Sequence, residues 1–221
     1  MTAMRQDTDA SRALQGLEDG RSSVRLRAAL AIGSAPDPGF VDKLVRQCGI
    51  EPDFFVRDML TWALTRHPVS TTLPRLVREL RSERAQARSQ ALHTLSKIGD
   101  PRAWPALTRA LLSDADPEVA RAAWRTAVVL VPEDEKSALA VVLATQLGHG
   151  NRETRLSLSR ALVALGEVIV PALHGPARAA DPQVRVHALA TRRLLHDPES
   201  GFEYALEEAK RVVALGGYVQ G

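Results

Sequence analysis

The sequence predicts an all-α fold, a right-handed solenoid of about six two-helix repeats. Three observations carry that prediction. Residues 86–112, QARSQALHTLSKIGDPRAWPALTRALL, read as helix, tight turn, helix. Versions of that stretch stand before and after it, in steps of 32, 31, 32, 35 and 30 residues. Aromatic residues make up only 4% of the 221, which suits thin helices packed through Ala and Leu.

Within residues 86–112 the first run places Ala87, Ala91, Leu92, Leu95 and Ile98 on one stripe and leaves Arg88, Gln90, His93 and Lys97 off it. Gly99-Asp100-Pro101 then ends the helix, because Gly accepts the left-handed C′ conformation and Pro suits a following first turn. A second amphipathic run is expected through Ala103, Leu107, Ala110 and Leu111. Each half is too short to be stable alone, so the pair must bury its stripe against neighbouring pairs.

Aligning the repeats on Ala87 brings Val24, Val56, Val119, Thr154 and Val184 into register. A basic residue follows directly in five of the six, as Arg25, Arg57, Arg88, Arg155 and Arg185; the exception has Ala120 and then Arg121. Four positions after the anchor stand Ala28, Leu60, Ala91, Ala123, Leu158 and Ala188. Three positions before it, Asp53, Asp116, Asn151 and Asp181 are N-cap residues. Three of these also stand four residues ahead of an arginine (Arg57, Arg155 and Arg185), a favourable pairing distance.

The pattern D-P-x-V-R-x-x-A with a trailing G-D-P resembles the HEAT-repeat family, and within it the short bacterial HEAT-like, PBS-lyase-type repeats. The resemblance covers nearly the whole chain. It is specific for fold and says little of activity, because such folds host many roles.

On this reading residues 1–10 are a disordered N-terminus, 11–215 a single repeat domain and 216–221 a flexible tail. The repeats lie near 13–50, 51–82, 83–113, 114–149, 150–180 and 181–215, with the longest joint at Gly148-His149-Gly150-Asn151. Composition is ordinary for a soluble chain: 45% apolar, 25% charged, net charge +3. That charge is no polycation signal. Cys48, the single cysteine, excludes an internal disulfide and fits a reducing compartment. The start MTAMRQDTDA has no apolar h-region and no run reaches membrane-spanning length, so a cytoplasmic protein without membrane contact is expected.

Candidate function lies in the faces. On each first helix the positions one before, three after and six after the anchor fall together. They are polar in most repeats: Gln86, Gln90 and His93 in the third, Glu118 and Arg125 in the fourth, Glu153, Ser157 and Arg160 in the fifth. The second repeat instead places Phe55, Met59 and Trp62 there, with Arg66 one turn on. Either an N-terminal cap helix or the first repeat covers this cluster, making it core, or it is an exposed partner patch of the residue types enriched at interface cores, or it lines a small-ligand pocket. The Trp62 position continues into His93, Arg125 and Arg160, a ridge with an aromatic and a basic end. Such a ridge suits an acidic peptide or a nucleic-acid backbone. The expected function is a non-enzymatic scaffold holding a protein or peptide partner through Phe55, Met59, Trp62 and Arg66, with His93, Arg125 and Arg160 giving charge selectivity.

No catalytic or metal signature stands out, and no cofactor is expected. The six histidines show no HxxxH or HExxH spacing, and one cysteine cannot build a thiolate zinc site. No His-Glu dipeptide occurs, so the likeness to HEAT-like iron hydroxylases ends at the fold. The enzymatic alternative is a resemblance to the alkylpurine DNA glycosylases, short HEAT-like solenoids that use tryptophans, arginines and a catalytic Asp in a basic groove. Trp62, Trp124, Arg125 and Asp58 are the residues of this chain that such a reading needs.

Overall fold

A computed structural model describes residues 12–215; the expected disordered N-terminus and flexible tail lie outside these residues. Among the described residues every element is helical, and they divide into two compact units on either side of the step from Ala106 to Leu107. The fold is an all-α solenoid of stacked helix pairs.

In the first unit a short helix α1 (residues 12–16) precedes α2 (Ser22–Ser34), α3 (Val41–Cys48), α4 (Phe54–Thr65), α5 (Val69–Glu79) and α6 (Ala85–Ile98). The first helices of the repeats stack as α2 on α4 and α4 on α6, while α3 and α5 pack beneath them. In the second unit α7 (Arg109–Leu112), α8 (Pro117–Leu130), α9 (Lys136–Ala144), α10 (Arg152–Ala164), α11 (Val170–His174), α12 (Pro182–His196) and α13 (Phe202–Ala214) follow, with α8 on α10 and α10 on α12.

The caps form where the sequence places them. Asp53 accepts from the amides of Phe55 and Val56, Asp116 from those of Glu118 and Val119, Asn151 from Thr154, and Asp181 from Gln183. These capping side chains, three carboxylates and the Asn151 amide, are occupied by backbone, and the repeated arginines reach elsewhere. Arg57 donates to the carbonyls of Glu51 and Pro52, Arg88 to those of Ser82 and Glu83, and Arg185 to those of Ala179 and Ala180. Arg155 reaches the Gly150 carbonyl and Arg25 that of Asp19. Each arginine therefore folds back five or six residues and satisfies carbonyls that the turn before its helix leaves open. The i,i+4 carboxylate pairing expected from the spacing is replaced by this clamp.

Proline breaks two of the expected second helices. In the third repeat Pro101–Ala106 is a 3-10 segment and α7 restarts only after Thr108 caps it, because Pro105 has no N–H to continue an α-helix. In the fifth, α11 is flanked by 3-10 turns, with Pro171 in its first turn and Pro176 just beyond it. The joint at 148–151 is pinned, because the Gly148 amide donates to His187 Nδ1 at 3.0 Å. Gly148 has φ +86°, and a Cβ there would meet Val184 at 2.8 Å.

Two close approaches fix the first unit. A Cβ on Gly33 of α2 would lie 2.3 Å from the Trp62 ring and 2.9 Å from Ala63 Cα, so α2 and α4 meet at a distance only glycine permits. Gly33→Ala is expected to cost about 1–3 kcal/mol, the range for overpacking, read as a lower urea midpoint at unchanged m-value. An unshifted midpoint would mean that this contact yields without cost. Beneath it, Glu51 is fully buried and accepts from Arg25 Nε at 2.8 Å, Arg25 Nη2 at 2.7 Å, Gln47 Nε2 at 3.1 Å and the Asp53 amide at 3.0 Å. Gln86 of α6 adds hydrogen bonds to the carbonyls of Cys48 and Glu51, so three successive repeats are tied at one point. Cys48 lies in this core, where burial pushes its thiol up to about 12.

Candidate functional site

Helix α4 carries three of the exposed large apolar residues of the first unit, Phe54, Phe55 and Trp62. Its start is set by the Asp53 cap, which puts Phe54 and Phe55 on the first turn, 65% and 72% exposed. Their rings meet edge-to-face at 5.6 Å, and the Arg57 guanidinium lies 5.9 Å above Phe54. Phe55, Met59 and Trp62 share one face, since spacings of four and three return to the same side of a helix. Met59 is half-buried and Arg66 is exposed. Trp62 is divided: 37% exposed, with its six-membered ring against Gly33 of the preceding repeat. Two of the alternatives left open by the sequence are thus realised along one helix, Phe55 in solvent and Trp62 partly covered. Leu30, at the Trp62 position of the first repeat, is exposed as well, and so extends the stripe onto α2.

The remaining candidates divide between the units. His93 is half-buried on α6 of the first unit; Arg125 on α8 and Arg160 on α10 are exposed in the second. Partial desolvation and the neighbouring Arg121 lower the pKa of Arg125. Arg121 is itself engaged, 3.0 Å from Glu118 and 3.2 Å from Glu153. Residues 107–215 hold 13 lysines and arginines against 14 aspartates and glutamates, so the basic positions there do not sit in a basic surface. Trp124 is 2% exposed and donates its indole N–H to the Leu112 carbonyl at 2.7 Å, which places it in the packing rather than in a groove.

One polar constellation was not legible beforehand. Ser159, His187 and Thr191 are each fully buried between α10 and α12. The Gly148 amide donates to His187 Nδ1, so the proton sits on Nε2, which lies 3.0 Å from Ser159 Oγ and 3.1 Å from the Arg155 carbonyl. Thr191 Oγ1 donates to the His187 carbonyl and stands 2.8 Å from Ser159 Oγ, leaving Ser159 to donate to it. The imidazole therefore donates toward the serine, the reverse of the polarity a nucleophilic serine needs, and no substrate reaches it. Burial holds the pKa of His187 down at about 4. Thr61 and Thr94 form a similar buried pair, 3.3 Å apart across α4 and α6. The signal was present as hydroxyls at 61, 94, 126, 159 and 191, one in each repeat from the second to the sixth.

Among the described residues no three His, Cys, Asp or Glu side chains converge on a metal position, and no single helix is long and apolar enough to cross a membrane. Residues 51–127 match the family model of HEAT repeats. That stretch consists of HEAT repeats. It contains the whole of α4 and the apolar face described above. No curated protein matches the sequence. Among solved structures, an engineered protein is similar with a TM-score of 0.51 at 21% identity, over 96% of this chain and 99% of that one. Human deoxyhypusine hydroxylase, solved with glycerol, gives a TM-score of 0.49 at 18% identity over 97% of this chain and 99% of that one. The first likeness is one of fold. The HEAT repeats account for the repeat architecture of residues 51–127; the role of the chain is a question for its surfaces.

Proposed function

We propose that the protein is a non-catalytic binding module whose α4 face holds a protein or peptide partner. The observation that carries this reading is Phe55, 72% exposed at a position that the next repeats fill with Gln86, Glu118 and Glu153. An aromatic side chain in solvent is costly to hydrate and contributes nothing to the core, so its contribution is realised when a partner covers it. Phe54 and Trp62 widen the apolar area, and Arg66 closes its far end with a charge. His93 borders the same unit and adds polar selectivity. Arg125 and Arg160 belong to the second unit and serve there as a separate charged contact.

Phe55→Ser is the variant that tests this. It is expected to abolish retention of the partner recovered from source-cell lysate while changing stability by no more than about 0.5 kcal/mol, as for an exposed site. Retention of that partner at wild-type level would exclude the α4 face. Trp62→Ala is the poorer test, because the ring also packs on Gly33 and its loss mixes stability with binding.

A further inference from the structure

The stacking of first helices has a direction, and it identifies a second site. Thr61, five residues after its anchor, bonds to Thr94, seven after the next anchor; Ser159 and Thr191 repeat that relation. The plus-five position thus faces the following repeat. In the first five repeats it is Ala29, Thr61, Leu92, Trp124 and Ser159, all at most 3% exposed. The plus-eight position behaves alike: Ile32, Leu64, Leu95, Ala127 and Leu162 are at most 1% exposed. In α12, the first helix of the last pair among the described residues, these positions are Leu189 and Arg192, and both are only half-buried.

They line a cavity of about 320 Å³ between α12 and α13, floored by Leu189, Ala205, Ala209 and Val212. Arg193 and Glu208 cross its wall 2.8 Å apart, shielded from solvent but not aligned as a hydrogen bond. Arg193 is further engaged by Asp197 at 3.8 Å and lies 5.4 Å over the Tyr204 ring. Arg192 has no carboxylate partner among the described residues. His196 and Asp197 complete the lining, and both carboxylates there, Asp197 and Glu208, are turned to Arg193. The Arg192 guanidinium therefore stands without an ion pair of its own where every earlier repeat has an aliphatic or small apolar side chain.

We propose that this cavity binds a small amphiphilic anion, its apolar body on Leu189, Ala205, Ala209 and Val212 and its carboxylate, sulfonate or phosphate on Arg192. The size is at the lower end for ligand cavities, which suits a molecule with one short chain or one fused ring system. Desolvation of the cavity walls strengthens the charge-assisted contact.

The probe is 8-anilinonaphthalene-1-sulfonate, titrated into the full chain by fluorescence and displaced with decanoate. Saturable enhancement at one site, reversed by decanoate, is expected. Arg192→Ala should weaken the probe about tenfold, as for a lost hydrogen bond to a charged group. Val212→Trp, which fills the cavity, should abolish the signal with helicity unchanged. Phe55→Ser, on α4 of the first unit, should leave it intact. Loss of the signal in Phe55→Ser alone, no response to Arg192→Ala, or no displacement by decanoate would each overturn the proposal; Arg192 would then be a solvated end cap.

Discussion

Arg25→Ala is expected to remove about 3–5 kcal/mol of stability, the cost of breaking a buried ion pair by deleting one partner. A domain has only about 5–15 kcal/mol in total, so the variant should be close to unfolding at ambient temperature. Glu51 is fully buried and Arg25 only 9% exposed, so no solvent replaces the two guanidinium hydrogen bonds. Burial alone raises the pKa of Glu51, but the hydrogen bonds from Arg25, the Asp53 amide and Gln47 outweigh it and the net shift is downward. Without Arg25 the burial contribution prevails, and the carboxyl protonates or drags the 47–53 turn open. The double replacement Arg25→Met with Glu51→Leu should recover most of the loss, because it leaves no buried charge. Urea titration decides between these states. A single-variant loss below about 1 kcal/mol would mean that the pair behaves as a surface ion pair.

Acid should destabilise the second unit through His187. Its folded pKa is about 4, against 6.5 for the free side chain, because burial disfavours the imidazolium. Above pH 6.5 both folded and unfolded forms are neutral, and the contribution is fully present. As pH falls from 6.5 toward 4 only the unfolded chain takes up the proton, and about 3 kcal/mol is lost at 1.36 kcal/mol per unit of difference. His187→Gln should be less stable at pH 7, having lost the Gly148 and Ser159 contacts, yet should melt with a shallower dependence between pH 6.5 and 4. Parallel pH profiles for the two proteins would assign the acid sensitivity to other groups.

What the sequence made legible was local. The apolar stripe at 87, 91, 92 and 95 and the caps at Asp53, Asp116, Asn151 and Asp181 depend on residues within a turn or two, and they form as read, while Ile98 at the helix end is only half-buried. The repeated arginine was visible as a position but not as a contact. A spacing of four from the capping residue suggests a carboxylate partner, whereas the carboxylate is already engaged by amides and the guanidinium finds open carbonyls. Pro105 and Pro171 were visible too, but a smooth apolar period masked their effect on the second helices.

The candidate site was legible to the extent that its exposure follows from one helix. Phe55 is exposed because its own turn points it outward. Trp62 is half-covered because Gly33, 29 positions earlier, lets α2 approach it, and no pattern within α4 reports that. The Ser159–His187–Thr191 cluster was missed for the same reason: its members lie on two helices and its partner amide on the joint before α10. The open position of Arg192 became visible only once the hydrogen bonds gave the stacking a direction.

Site-specific photocrosslinking reports directly on what touches the α4 face. Benzoylphenylalanine is placed at Phe55 in one protein and at Gln86, the same position in the next repeat, in another; both are irradiated in the source cells. A discrete protein adduct is expected from position 55, lost when Arg66→Glu is added and weak or absent from position 86. Equal adducts from both positions, or none from position 55, would contradict the assignment of the α4 face as the partner surface.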